Sequence, residues 1–140
     1  MSRNWVEDMH GMHEKFGVNA VIRTFDKSKL TAFLQFRIRF LQEELDELTV
    51  SKNGDDAVDA LIDLCVVAIG TLDALDVDAY TAWNRVLEAN MTKEVGIKAS
   101  RPNPLSLPDL VKPSGWQAPY HWDNTGLLSK MIPTGEPKKD

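Results

Sequence analysis

Two pairs of acidic residues stand close together in the sequence, on either side of a short polar segment. Glu44 and Glu47 form the first pair, and Asp59 and Asp63 form the second. On an α-helix, residues three or four positions apart lie on one face, so the members of each pair project together. A turn at residues 51–54 would fold two such helices into an antiparallel hairpin. The two pairs would then lie at similar heights along that hairpin.

Carboxylates that converge on one point repel each other unless a cation neutralises them. Oxygen ligands of this kind select Mg²⁺, or Mn²⁺ as an alternative, over softer metals. Asp63 lies in an apolar stretch, where a carboxylate needs a metal, a cation or a strong hydrogen-bond donor. Two other interpretations stay open at this point. The acidic face could be solvated surface, and Asp63 could pair with Arg37 or Arg39.

The elements that would position these residues are helical. Hydrophobic periodicity predicts helices over residues 5–15, 28–50, 55–75 and 78–95. Ser28 is the predicted N-cap of the second helix, and Gly17 and Gly96 are predicted to end the first and the fourth. No segment indicates a strand.

The distribution of proline divides the chain. All seven prolines fall within residues 102–137, and proline is poorly tolerated inside helices. The sequence therefore predicts an all-α, four-helix bundle-like domain over residues 1–98. Residues 99–140 would form an irregular extension that wraps the bundle or a partner subunit. Residues 61–69 are apolar nearly all round, which indicates burial by the chain's own domain or by another copy. We therefore expect a homodimer or a dimer of dimers.

Composition limits the classes of function. The formal charge of −5 argues against a large nucleic-acid-binding surface. Cys65 is the only cysteine, so an internal disulfide is excluded and a reducing compartment is indicated. No apolar run is long enough to span a membrane, and the N-terminus lacks the apolar core of a signal peptide. We expect a cytoplasmic protein without a membrane partner.

Taken together, the motifs resemble those of the MazG-like all-α NTP pyrophosphohydrolases, which include phosphoribosyl-ATP pyrophosphohydrolases and dimeric dUTPases. Residues 43–47 match the EExxE half of the family motif. The ExxD half is matched only at Asp63, because Ala60 occupies the Glu position and Asp59 stands one residue earlier. Residues 90–93 are similar to the N-M-x-K segment of phage and bacterial members, and residues 112–116 are similar to their C-terminal extension.

The resemblance implies a Mg²⁺-dependent enzyme that converts a nucleoside triphosphate to the monophosphate and pyrophosphate. It implies four metal ligands, which would be Glu44, Glu47, Asp59 and Asp63, with Asp56 as a rival to Asp59. The remaining site residues are predicted to act on water or substrate. Glu43 would orient or deprotonate the attacking water, or would stand behind the metal ligands and support them. Lys93 would contact phosphate, with a solvated lysine at a helix C-terminus as the alternative. Asn90 would bind the nucleotide, and Arg39 would bind phosphate or support the carboxylates.

Two other classes of protein are weighed against this enzyme. A di-iron carboxylate bundle needs Glu-x-x-His pairs on its core helices, and the predicted second to fourth helices contain no histidine. A non-catalytic helical adaptor would instead carry these carboxylates as ordinary surface. The base and sugar of the substrate stay open among dUTP, dGTP, damaged nucleotides and phosphoribosyl-ATP.

Overall fold

The computed structural model describes residues 4–135 and confirms an all-α, bundle-like fold. Helices account for most of this part of the chain, accompanied by one two-stranded sheet. The α-helices are α1 (Trp5–Phe16), α2 (Val18–Ile22), α3 (Lys27–Val50), α4 (Gly54–Ala74) and α5 (Ala79–Met91). They are followed by β1 (Glu94–Gly96), β2 (Asp109–Val111) and a 3₁₀ helix, η1 (Gly126–Lys130).

Local capping chemistry sets the ends of the helices. The predicted end of α1 at Gly17 is confirmed, since this residue has a left-handed φ of 71° that glycine adopts without strain. The predicted N-cap at Ser28 is wrong. Asp26 caps α3 instead, and its side chain accepts a 2.9 Å hydrogen bond from the Lys29 backbone N–H. Asn53 caps α4 in the same way through the Asp56 N–H.

The sequence-based prediction fails around the short elements. The fourth predicted helix ends at Met91 and not near Gly96, because residues 94–96 pair with 109–111 as an antiparallel sheet. The expectation that the chain contains no strand is therefore wrong. The one-turn helix α2 was also not predicted.

The described chain forms two compact units. One comprises Met1–Ala79 with Trp122–Asp140, and the other comprises Tyr80–His121. The division at residue 98 that composition suggested stays a prediction. In the first unit, buried Ile22, Leu30 and Leu75 form a core against which η1 packs. The Leu127 N–H donates to the Leu75 carbonyl at 2.7 Å, which ties this 3₁₀ segment to the end of α4.

α3 and α4 pack as the predicted antiparallel hairpin. The apolar middle of α4 is only partly covered by the rest of the chain: Leu61 is 50% exposed and Ile62 is 45% exposed. Val67 and Gly70, by contrast, are buried. The chain's own domain thus covers one side of α4. Within residues 4–135, no helix combines the length and apolarity that a membrane span requires.

Candidate functional site

Glu44 is the most enclosed carboxylate of the α3–α4 hairpin. Only 8% of its surface is exposed, and its Oε2 atom is buried without a hydrogen-bond partner among residues 4–135. Burial raises the pKa of the Glu44 carboxyl, and the charges of Glu47, Asp63 and Asp59 raise that pKa further. Glu47 also lies close enough to hydrogen-bond to Glu44 when one of the two carries a proton. The hairpin therefore brings Glu44 within electrostatic reach of the three other predicted ligands.

These carboxylates differ in their exposure. Asp63 is half-buried, whereas Glu43, Glu47 and Asp59 are exposed. Sequence reasoning gave most weight to Asp63 as the enclosed group, but the structure gives that place to Glu44. The periodicity of α3 could not show this, because the burial of Glu44 comes from α4 packing across it.

Ala60 occupies the family's Glu position and is 2% exposed, so a longer side chain has no room there without rearrangement. Of the two acidic neighbours proposed to replace that Glu, only Asp59 affects the pKa of Glu44. Asp56 is held at the start of α4, where its Oδ2 accepts a 3.1 Å hydrogen bond from Asn53 Nδ2. The effect on the pKa of Glu44 therefore favours Asp59 over Asp56 as the residue that replaces the family's Glu. The assignment of Asp59 as a metal ligand stays a prediction.

The donor chemistry fits a hard divalent cation. Among residues 4–135, no three or more His, Cys, Asp or Glu side chains converge closely enough to make a finished metal site. Like-charged carboxylates keep apart unless a cation neutralises them. The buried Oε2 of Glu44 is a polar atom that needs a partner, and the surrounding donors are all carboxylate oxygens. Oxygen donors of this kind suit a hard divalent cation better than a softer metal.

Neither candidate arginine pairs with Asp63 in the described part of the chain. The Arg37 Nε–H donates to Thr71 Oγ1 at 2.9 Å, and its guanidinium also donates to the Val67 carbonyl at 3.4 Å. Burial lowers the pKa of Arg37. Arg39 is exposed on α3. Neither Arg37 nor Arg39 forms an ion pair with Asp63 within residues 4–135, and the roles of Asp63 and Arg39 stay predictions.

The other two predicted substrate contacts belong to the second unit. Asn90 is exposed near the end of α5, and Lys93 is half-buried just before β1. Within that unit, Lys93 Nζ lies 5.3 Å from the centroid of the Trp116 ring. Both remain predicted contacts to the nucleotide.

A partly buried polar cluster, which no sequence pattern predicted, joins α1, α2 and α4. Asp73 accepts hydrogen bonds from His10 Nδ1 at 2.9 Å, His13 Nδ1 at 2.8 Å and Asn19 Nδ2 at 3.0 Å. Burial of Asp73 alone would raise its pKa, but the three hydrogen bonds outweigh burial and lower it. These partners lie more than fifty residues away from Asp73 in the chain, so no local pattern connects them.

An all-α protein whose central hairpin gathers carboxylates around a buried glutamate fits the class of nucleotide pyrophosphohydrolases. The family model of phosphoribosyl-ATP pyrophosphohydrolase matches residues 19–90, just over half of the chain. The chain belongs to this family, and thereby to the MazG-like all-α superfamily that its motifs resemble. It is accordingly a hydrolase of the pyrophosphohydrolase type. No curated protein and no solved structure matches it. The matched segment contains all four predicted metal ligands and Asn90, but neither Lys93 nor Trp116.

Proposed function

We propose that this chain is a Mg²⁺-dependent pyrophosphohydrolase of ribo- or deoxyribonucleoside triphosphates, which releases the monophosphate and pyrophosphate. The observation that carries the proposal is the buried Glu44 carboxylate. Its unpartnered oxygen and its raised pKa, together with the nearby charges of Glu47, Asp63 and Asp59, describe a place where a divalent cation is stabilising. The family match supports the same class of reaction.

Each acidic residue has a distinct part in this proposal. Glu44, Glu47, Asp59 and Asp63 would hold the ion, which when bound offsets the negative charge that builds up on phosphate oxygens. Glu43 is exposed on the same helix. It would orient the attacking water and accept its proton, a role that typically contributes about 10²- to 10⁴-fold to the rate.

The substrate itself would be held by the predicted contacts outside the carboxylate cluster. The Lys93 ammonium would contact phosphate as a point charge, and the Asn90 amide would hydrogen-bond to the nucleotide. Arg39 has a guanidinium that could pair with phosphate oxygens. The nucleoside that the site prefers is best found with a panel of ribo- and deoxyribonucleoside triphosphates that includes phosphoribosyl-ATP.

We expect Asp63→Asn to abolish pyrophosphate release while leaving the fold intact. The amide keeps the shape of the side chain and removes the charge that a cation needs. The matched control is Asp55→Asn, which makes the same change on the exposed first turn of α4. Pyrophosphate should be assayed with Mg²⁺ and the nucleotide panel, beside circular dichroism of each variant.

The same assay separates the enzyme from the non-catalytic adaptor. An adaptor predicts no pyrophosphate with any nucleotide, even at protein concentrations close to those of substrate. Wild-type turnover in Asp63→Asn would instead show that hydrolysis is real but that the metal ligands are assigned wrongly.

A further inference from the structure

The β1–β2 pairing places two lysines opposite each other. Glu94 pairs with Val111 at one end of the sheet. Lys93 precedes Glu94 and Lys112 follows Val111, so the two lysines occupy the next position in the same antiparallel register. Like charges directly across a sheet are destabilising. The fold therefore concentrates positive charge at this end of the sheet.

Both lysines are held against one tryptophan. Lys93 Nζ lies 5.3 Å and Lys112 Nζ 5.0 Å from the centroid of the Trp116 ring, within the range of a cation–π contact. The ring is fixed in turn, because Trp116 Nε1–H donates to the Ala89 carbonyl at 2.8 Å. The two ammonium groups are thus no farther apart than the sum of these two centroid distances.

Neither ammonium group is neutralised by a carboxylate in the described part of the chain. No aspartate or glutamate of residues 4–135 lies within ion-pair distance of Lys93 or Lys112. A cation–π contact orients an ammonium group but does not use its three N–H donors as hydrogen bonds to oxygen would. The two lysines can therefore direct several donors at an anion with many oxygens.

The surroundings of Trp116 favour an anionic ligand. Trp116 lines a cavity of about 600 Å³ between α5 and residues 113–120. Arg85 stacks over Tyr120 in the wall of this cavity, 4.2 Å from the ring centroid. Glu88 also lines it. Residues 80–121 nevertheless contain five Lys or Arg and three Asp or Glu, a formal charge of +2 in a chain whose charge is −5.

We propose that Lys93, Lys112 and Trp116 form a binding site for a polyphosphate chain of two or three phosphates. A chain of two or three phosphates carries oxygens at several positions, so it can contact both ammonium groups at once. The site depends on a segment outside the part of the chain that matches the family model. The inference rests on the proposed function in one respect, which is that the natural ligand is the triphosphate of the substrate.

The test is a calorimetric titration of the full chain with inorganic tripolyphosphate, in EDTA and at constant ionic strength. We expect saturable binding that weakens by about tenfold or more in Lys93→Met and in Lys112→Met, since each variant loses a charge-assisted contact. Lys112→Arg should retain most of the affinity. The matched control is Lys98→Met in the same unit, and circular dichroism confirms that each variant is folded.

Competition identifies the source of the phosphate chain. A nucleoside triphosphate that displaces tripolyphosphate supports binding of the substrate, whereas displacement by pyrophosphate alone would assign the site to the released product. The proposed site would be overturned if Lys98→Met and Lys112→Met lost the same affinity for tripolyphosphate. It would also be overturned if neither Lys93→Met nor Lys112→Met lost affinity. Tripolyphosphate binding without hydrolysis of any nucleotide would leave this site standing and remove the proposed function. Hydrolysis of a nucleotide together with no saturable binding of tripolyphosphate would leave the proposed function standing and remove this site.

Discussion

At the level of single residues, Glu44 carries an unfavourable charge in the metal-free chain. Its raised pKa means that, above the ordinary value of 4.5, the folded chain binds more protons than the unfolded chain. The contribution of Glu44 to folding stability is therefore complete below pH 4.5 and is lost as the pH rises through the higher pKa of the folded state. A cation bound at Glu44 would reverse this loss by binding the folded chain preferentially.

We predict that Glu44→Gln is more thermostable than the wild type at pH 7.5 in EDTA. The amide retains the shape of the side chain and removes the buried charge. Added Mg²⁺ should raise the melting temperature of the wild type by several degrees and that of the variant by much less, as followed by circular dichroism. Exposed Glu43 provides the control, because Glu43→Gln should change the melting temperature little in EDTA. Equal responses of wild type and Glu44→Gln to Mg²⁺ would remove Glu44 from the metal site.

Asp73 contributes to stability with the opposite dependence on pH. Its folded pKa lies below the ordinary value of 3.8, so its contribution is complete above pH 3.8 and is lost as the pH falls through the folded pKa. We predict that Asp73→Asn lowers the free energy of unfolding by about 2 kcal/mol at neutral pH, because two imidazole N–H groups lose a charged acceptor. Urea unfolding measures the difference, which should shrink in strongly acidic buffer.

Asp76→Asn is the control for that experiment, since Asp76 is exposed and its φ of 60° suits asparagine. A neutral-pH stability of Asp73→Asn equal to that of the wild type would show that the histidine cluster adds nothing to the fold.

At the level of secondary structure, the long helices could be predicted because their signal is local. Periodic apolar residues and capping side chains act within a few positions, so α1, α3 and α4 begin and end within one residue of the predicted limits. β1 and β2 are only three residues each and exist through pairing with each other across a long connection. A single short segment does not contain that information.

In the candidate site, too, the features with a local sequence signal were predicted and those that depend on distant contacts were not. The faces shared by Glu44 with Glu47, and by Asp59 with Asp63, follow from helical geometry and were predicted. The burial of Glu44 depends on packing between two helices. The placement of Lys93 against Trp116 depends on a contact between residues twenty-three positions apart. Local spacing contains neither fact.

The docking of η1 on the first unit depends on Gly126. This glycine has a left-handed φ of 51°, and a Cβ atom there would overlap the Leu75 carbonyl oxygen, which accepts the Leu127 N–H. We predict that Gly126→Ala destabilises the chain by about 1–3 kcal/mol through strain and loss of this docking. Thermal unfolding measures the loss, and hydrogen exchange of the Leu127 amide should accelerate.

The variant Gly115→Ala separates the effect of backbone strain from the effect of steric overlap with a neighbouring atom. Gly115 also has a left-handed φ, of 76°, but a Cβ there meets nothing within 4 Å. We expect this variant to lose less stability than Gly126→Ala. Equal losses would show that backbone strain alone matters and that the contact with Leu75 does not.

At the level of the whole molecule, exposed apolar side chains on α3 and α4 predict self-association. Ile38, Leu45, Val58 and Leu61 are each between 47% and 62% exposed, and exposed apolar side chains mark an interface where they form one patch. A second copy of the chain is the partner we propose, because α4 is apolar on the side that its own domain leaves uncovered. Sedimentation equilibrium should give a mass of two or four chains.

Leu61→Glu should then shift the wild-type assembly to a smaller species without unfolding it, since Leu61 is half exposed within its own chain and a charge there opposes only association. Ile97→Glu is the control, because it places the same charge on an apolar residue of the second unit that is 88% exposed. If the active site draws on two chains, Leu61→Glu should also lower turnover, and the wild-type rate per chain should fall on dilution below the dissociation constant. A monomeric wild type with full activity would refute both the assembly and a shared site.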